Sequence, residues 1–403
     1  MKYAIVLPDG AADFPLDALE GRTPFEAAHT PVLDRLSRRG RLGTVCTTPA
    51  GMPCGSDVCT MSLLGYDPAR FHTGRAPLEA AAMGLPLGSH DWVFRVNLVS
   101  APGGVMQDHS AGHIGDGEAT QLLRDFIEFA ELPGDIELHP GVSYRQVMVD
   151  RSTARDWSEL ASTPPHDIPG EPIDKHLPVG GEHAPLLRDL IEASRACFAE
   201  HEINQARRDA GLAEASCLWP WGQGTPPAAP SFREKFGLRG AMITAVDLLA
   251  GLASFLGWDR LDVPGQTSYH DTDYAAAGRH AADALDEYDL VAVHLEAPDE
   301  AAHAGDPHTK VAAIEAIDRD VLRPLVERLG AKHRPYRLLL LPDHYTRVDN
   351  RKHDPTDPPF LLVGEGVPSP REVTFSEKHA AASDLHIAHG HELMEFFLRG
   401  GLA

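Results

Sequence analysis

Two short apolar runs, at residues 290–293 and 338–341, each break off directly into acidic and imidazole side chains. Four consecutive apolar residues without polar alternation suit a strand buried on both faces, as in a parallel sheet covered by helices. The first run opens the stretch His-Leu-Glu-Ala-Pro-Asp-Glu-Ala-Ala-His, residues 294–303. Asp299 and His303 stand at i and i+4, so a helix starting near Pro298 puts both on one face. A carboxylate and an imidazole one turn apart, at the carboxyl end of a strand, make a clamp for a metal ion. The second run ends in Asp343 and His344, with His353 close behind. Adjacent residues point in different directions, so Asp343 and His344 can serve two neighbouring ions. Two such strand-end clusters make a two-metal phosphoryl-transfer site the leading expectation.

The remaining chain supplies the frame for those clusters. A strand at 3–7 ends near Asp9, where α/β sheets place functional groups. Thr30 and Pro31 open a helix through residue 39, with Thr30 as cap and Gly40 as stop. A strand at 42–47 leads through the turn-rich loop Gly-Met-Pro-Cys-Gly-Ser-Asp (51–57) into a helix at 58–64. Ser56 therefore lies at or just before a helix N-terminus, where free amides and the dipole favour a phosphate or an alkoxide. From about 89 the texture changes, with strands expected at 92–100, 135–137 and 144–149 and a helix at 119–131. Helices at 185–201, 241–257, 274–287, 310–329 and 390–398 then alternate with strands ending at 262–265, 294, 341 and 363. The expected architecture is a three-layer α/β core with a mainly parallel sheet, residues 1–88 and 178–403, carrying an inserted α/β cap at 89–177.

Charge narrows the partners. With 36 Lys and Arg against 59 Asp and Glu in 403 residues, the net charge of −23 argues against nucleic acid or an anionic membrane. No apolar run approaches a membrane span, and the N-terminus is too poor in apolar residues for a signal peptide. Five cysteines without a Cys-x-x-Cys pair read as reduced thiols of a cytoplasmic protein. An acidic protein still binds a phosphate ester if metal ions reverse the local sign.

The candidate metal ligands are Asp9, Ser56, Asp299, His303, Asp343, His344 and His353, the last in a polar loop at 350–357. Carboxylate mixed with imidazole suits Mn²⁺, Zn²⁺ or Mg²⁺. Ser56 is the candidate nucleophile, since a serine hydroxyl attacks only when a base or a metal activates it. Nucleotide loops of the Gly-x₄-Gly-Lys-Ser/Thr or Gly-x-Gly-x-x-Gly type are missing from the sequence. Arg75, Arg145, Arg207 and Arg208 are the arginines that could hold a carboxylate or phosphate by bidentate bonds. Arg75, Arg207, His109, His113 and Asn204 form the candidate substrate set. A non-catalytic, metal-stabilised binding protein is the alternative from another class.

Longer strings sharpen this reading. Gly-Arg-Thr-Pro-Phe-Glu-Ala-Ala (21–28), Pro-Cys-Gly-Ser-Asp-Val (53–58), Leu-Leu-Gly-Tyr-Asp-Pro (63–68) and Thr-Gly-Arg-Ala-Pro-Leu-Glu-Ala (73–80) stand in the first quarter. Ala-Val-Asp-Leu-Leu (245–249), Glu-Ala-Pro-Asp-Glu-Ala-x-His (296–303) and Pro-Asp-His (342–344) follow. Over nearly its whole length the chain resembles the archaeal-type cofactor-independent phosphoglycerate mutases of the alkaline phosphatase superfamily. The resemblance implies two divalent ions, one on Asp299, His303 and His353, the other on Asp9, Ser56, Asp343 and His344. It also implies that Ser56 takes the phosphoryl group of 3-phosphoglycerate and returns it to the other hydroxyl of glycerate, under a cap that excludes water. Asp-His-Ser-Ala-Gly-His-Ile (108–114), Gly-Val-Ser-Tyr-Arg (141–145) and Thr-Pro-Pro-His-Asp (163–167) resemble a bacterial branch labelled proposed homoserine kinases. Phosphoglycerate mutation is thus the first expectation. A phosphotransferase on a small amino acid such as homoserine, or a phosphatase of small phosphate esters, is the alternative.

Overall fold

The computed structural model describes residues 1–331, 335–368 and 373–401. The chain divides into two compact units, Met1–His72 with Ala229–Ala403, and Thr73–Ala228. The Ala76–Ala82 helix and residues 178–228, read from sequence with the main body, fall within the second unit.

The first unit is built on an eight-stranded sheet. At its centre Lys2–Pro8 lies between Leu290–Leu295 and Tyr336–Leu340, parallel to both. Gly240–Ile243 continues the sheet beyond Leu290–Leu295, again parallel, whereas Pro359–Gly364 runs antiparallel to Tyr336–Leu340 and to Arg41–Val45. Alternation within each strand divides the side chains between two helical layers. Ala4 and Val6 join Val32, Leu36, Ala277, Ala281 and Val321 in one core, while Tyr3 turns the other way and meets Phe397 edge-on. The mainly parallel, three-layer α/β expectation holds, and its consequence for function is direct. Three parallel neighbours end at one edge of the sheet, so the residues following them are brought together whatever their separation in sequence.

Four local expectations change. The apolar stretch 241–257 is not one helix: Gly240–Ile243 is a strand, and the Asp247–Phe255 helix begins only after Thr244 accepts a bond from the Val246 amide. The expected helix at 310–329 is Pro307–Ala316 and Arg323–Ala331 joined by a π-helical turn, Ile317–Leu322. That turn aims Asp318 at the start of the Pro31–Ser37 helix, where its carboxylate accepts from the amides of Leu33 and Val32 at 2.7 and 3.2 Å. Thr30, expected as the cap there, makes no capping bond. The polar loop expected around His353 is a hairpin in which Lys352–Asp354 pairs with Tyr345–Arg347.

The second unit has a four-stranded antiparallel sheet in the order Ile136–His139, Arg145–Asp150, Trp92–Val99, Cys217–Gly224. The Asp116–Phe129 and Ala184–Ala199 helices cover one face through Leu122, Phe126, Leu187 and Leu190. Ala76 and Ala80 of the Ala76–Ala82 helix pack with Val93, Val147 and Val149 on the other. Among the described residues no helix is long and apolar enough to cross a membrane.

Candidate active site

Asp9, Asp343 and the Ala297–Ala304 helix each follow one of the three central parallel strands of the first unit. Pro298 sits in the first turn of that helix, so Asp299 and His303 share a face as the spacing predicts, with Asp299 Oδ2 3.2 Å from His303 Nε2. Gly10 makes room for this convergence. Its φ is +57°, and a Cβ there would collide with the Asp299 carboxylate and the Thr346 hydroxyl.

The hydrogen bonds behind the imidazoles decide what they present in front. His303 Nδ1 faces the Arg351 carbonyl at 3.0 Å, and His353 Nδ1 faces the Cys54 carbonyl at 2.8 Å. A carbonyl only accepts, so both rings carry their proton on Nδ1 and, when neutral, turn bare Nε2 lone pairs inward. Those two nitrogens lie 2.9 Å apart, beside the Asp299 carboxylate, a mutual repulsion that a cation relieves. His344 obeys the same logic. Thr346 Oγ1 donates to Asp299 Oδ1 at 2.5 Å, which leaves it to accept from His344 Nδ1 at 3.1 Å. His344 Nε2 then faces Ser56 Oγ at 3.3 Å and one oxygen each of Asp9 and Asp343 at 3.5 Å.

The carboxylates show the same need. Asp9 Oδ1, Asp343 Oδ2 and Glu296 Oε2 are buried and accept no hydrogen bond. Burial opposes the charge on Asp9, yet the bond from His294 and the fields of His344 and His294 hold it well below the usual carboxyl range. Burial and then the charge of Asp9 push Asp343 and Glu296 well above that range. Burial disfavours the charged form of His344, but Asp343, Asp9 and Asp299 outweigh it and raise the imidazole to about 9. Protons thus balance a crowd of carboxylates that divalent cations would neutralise better. Asp299, His344 and His353 form one group able to hold an ion, and Asp9, Asp343 and His344 form another. The mixed oxygen and nitrogen donors fit hard or borderline divalent metals.

Ser56 opens the Ser56–Leu63 helix, with Gly55 as its N-cap, as the glycine-rich loop implied. All seven sequence-derived ligands therefore lie within one cluster of the first unit. Sequence reasoning passed over the residues that orient them. His294, buried in its strand, donates from Nε2 to Asp9 Oδ2 at 2.7 Å and meets Thr244 Oγ1 at 3.1 Å through Nδ1. Lys310, fully buried, donates to the carbonyls of Ala12 and Thr346 and to Asp13 Oδ2, tying the Asp9 loop to the hairpin. A polar residue inside an apolar strand was the available signal for His294; Lys310 gave none, since helical lysines are ordinarily solvated.

A sequence model of 2,3-bisphosphoglycerate-independent phosphoglycerate mutase matches residues 37–204. The enzyme of that name from Methanothrix thermoacetophila is 45% identical over 99% of this chain and 100% of its own. The chain belongs to the 2,3-bisphosphoglycerate-independent phosphoglycerate mutase family. A second family member, from Methanothermobacter thermautotrophicus, is 44% identical, covering 99% of this chain and 97% of its own. The solved cofactor-independent phosphoglycerate mutase of Thermoplasma acidophilum superposes with a TM-score of 0.71 at 26% identity, covering 100% of both chains.

Within this family member the candidate substrate residues, all in the second unit, part into two groups. His109 and His113 flank the Tyr144 ring at 5.6 and 6.1 Å, and His109 lies 6.1 Å from His166. Arg75, which is exposed, joins Arg95 and Arg145 around Glu79, a carboxyl that burial raises and these three cations lower. Asn204 and Arg207 are instead committed to the backbone. The Asn204 amide donates to the carbonyls of Phe198 and Ala215 and accepts from the Ala215 amide. Arg207 donates to the carbonyls of Ala213 and Ala111 and to Glu118. Its bond to Ala111 braces a turn in which Ala111 and His113 both hold positive φ, 48° and 51°. Arg207 thus holds the turn carrying His113. Arg208 likewise pairs with Glu214. Asn204→Ala is expected to cost about 2–4 kcal/mol of stability in chemical denaturation while leaving KM within about twofold, because it strands buried backbone groups. A large KM change at unaltered stability would return Asn204 to the substrate set.

Proposed function

We propose that this chain interconverts 3-phosphoglycerate and 2-phosphoglycerate through a phosphorylated Ser56, with two divalent ions and without bisphosphoglycerate. Mn²⁺ is the first candidate, ahead of Zn²⁺ and Mg²⁺. Asp299, His303 and His353 would hold one ion, and Asp9, Ser56, Asp343 and His344 the other. Bound there, the ions supply Lewis acidity, neutralising phosphate charge and lowering the pKa of a hydroxyl. The observation that carries the reading is Ser56 Oγ, at the head of a helix and 3.3 Å from Nε2 of His344, the imidazole that both ligand groups share.

The residues of the chain set up an in-line exchange. Ser56 Oγ attacks phosphorus, the bond from phosphorus to the C3 oxygen of glycerate breaks, and that oxygen takes up a proton. The C2 hydroxyl then gives up its proton, attacks the phosphoserine and restores Ser56. Positioning and charge neutralisation do most of the work in such a transfer. Amides at the start of the Ser56–Leu63 helix add favourable field for the phosphoryl oxygens. Water must be kept away, because hydrolysis of the phosphoserine turns a mutase into a phosphatase. Exposed His113 and Arg75, with half-buried His109, are the groups we assign to substrate binding. Action on a small phosphorylated metabolite of glycolysis supports a cytoplasmic protein.

The test is phosphorus NMR of chelator-quenched samples from Mn²⁺-loaded protein given 3-phosphoglycerate and no bisphosphoglycerate. A growing 2-phosphoglycerate signal is expected. Free phosphate alone would mark a phosphatase, and an unchanged spectrum would sink the reading.

A further inference from the structure

The loop that delivers Ser56 carries a pair of thiols that the proposed reaction does not use. Gly55 is the N-cap of the Ser56–Leu63 helix, which makes Cys54 the residue just before the cap and Cys59 the fourth residue of the helix. Side chains at these two positions characteristically pack on one another across the helix start. Here both positions are cysteines, and both thiols are free. Thr48 Oγ1 lies 3.4 Å from Cys59 Sγ. Cys59 is wholly buried, whereas Cys54 is partly exposed.

Cys54 is also bound to the strand that carries His353. Its carbonyl accepts from His353 Nδ1 at 2.8 Å, and its thiol donates to the Asp354 carbonyl at 3.6 Å. Two adjacent bonds thereby fix the orientation of one metal-ligand candidate through a residue two positions before the nucleophile.

We propose that Cys54 and Cys59 are an oxidative modification site, forming a reversible disulfide on reaction with a peroxide and loosening the His353 ligand as they do so. Exposure assigns the roles. The Cys54 sulfur attacks one peroxide oxygen, the O–O bond breaks, and the departing hydroxide takes the thiol proton as water, leaving a sulfenic acid. The Cys59 sulfur then attacks Cys54 and displaces that hydroxyl, which leaves as a second water with the Cys59 proton. Two thiols and one peroxide become one disulfide and two waters, the sulfurs losing two electrons. A disulfide has no S–H, so the Asp354 carbonyl loses its donor. The sulfurs also close to about 2 Å, drawing Cys54 and its carbonyl away from His353. Loss of such an outer partner typically costs about 10–100-fold in metal affinity or activity.

The effect on turnover rests on the function proposed above; the disulfide itself does not. The experiment treats ion-loaded full-length protein with hydrogen peroxide, removes the oxidant with catalase, alkylates with iodoacetamide, and divides the sample between tryptic mass spectrometry and the NMR assay. Cleavage after Arg41 and Arg70 yields one peptide holding Cys46, Cys54 and Cys59. The expected peptide is alkylated at Cys46 and lighter by two hydrogen atoms across Cys54 and Cys59. Interconversion falls about tenfold or more and returns with dithiothreitol. Cys59→Ala keeps the basal rate and shows no dithiothreitol-reversible loss; Cys59→Ser serves if the alanine variant does not fold. Two alkylated thiols after peroxide, a bond to Cys46, or a disulfide with undiminished turnover would overturn the proposal. If untreated protein does not turn over phosphoglycerate, the proposed function fails separately. The peptide mass and the bound-metal content before and after peroxide then decide this site.

Discussion

Ser56→Ala is expected to lower phosphoglycerate interconversion by at least about 10⁴-fold while leaving the fold in place, since removing a nucleophile takes away the covalent route entirely. Structural cost is small for reasons visible in the helix start. Ser56 is the first helical residue, not the cap, and Gly55 caps without a side chain. Among the described residues the hydroxyl meets one partner, His344 Nε2 at 3.3 Å, so its loss costs stability on the order of 1 kcal/mol or less. Intact-protein mass after brief exposure to 3-phosphoglycerate should show a phosphorylated species in the parent and none in the variant. Metal analysis on the same samples separates the two roles assigned to Ser56. Unchanged metal content with no turnover marks a nucleophile whose site keeps its ions on Asp9, Asp343 and His344. A variant retaining a tenth of the rate would remove Ser56 from the chemistry.

The candidate ligand set was legible because topology concentrates it. Asp9, Asp299 and Asp343 follow three strands that are neighbours and parallel, and strand-end position is a property that a sequence displays. What stayed hidden was held by partners remote in sequence. Nothing near Lys310 announces that it will be buried against Asp13 and the Thr346 carbonyl. Nothing near Asn204 shows that both ends of its amide close onto Phe198 and Ala215. The Cys217–Gly224 strand escaped notice for a different reason. It contains Pro220 and two glycines, poor strand formers, but lies at the edge of its sheet where a missing amide is tolerated. Without that strand the closing half of the second unit has no sheet to join, which is why residues 178–228 read as a return to the main body. The run at 241–257 misled in the opposite way, its apolar residues continuing across a strand end that only Thr244 marks.

Chelating the ions is expected to lower Tm by at least about 10 °C near pH 8 and by less near pH 6. Each ion present at about a thousand times its Kd adds about 4 kcal/mol to the folded state, and a unit of this size moves about 2–4 °C per kcal/mol. The pH dependence follows from which groups must hold protons once the ions are gone. Asp343 and Glu296 are raised by burial and by the charge of Asp9, so the folded chain binds their protons more tightly than the unfolded one. Their contribution is intact below the ordinary carboxyl range and is lost as pH climbs through the raised values. His344, raised to about 9, behaves alike: its protonated form stabilises fully below about 6.5 and ceases to as pH passes 9. Asp9, lowered, does the reverse and loses its contribution only in strong acid. Chelated protein therefore weakens steadily from pH 6 to 9. Ion-loaded protein does not, because cations replace the same protons, and their binding releases protons and strengthens as pH rises. Thermal scans with and without chelator at pH 6, 7.5 and 9 should show the gap in Tm widening at each step. A gap that stays constant or narrows would mean that the ions do not bind at the carboxylates of Asp9 and Asp343 and the imidazole of His344.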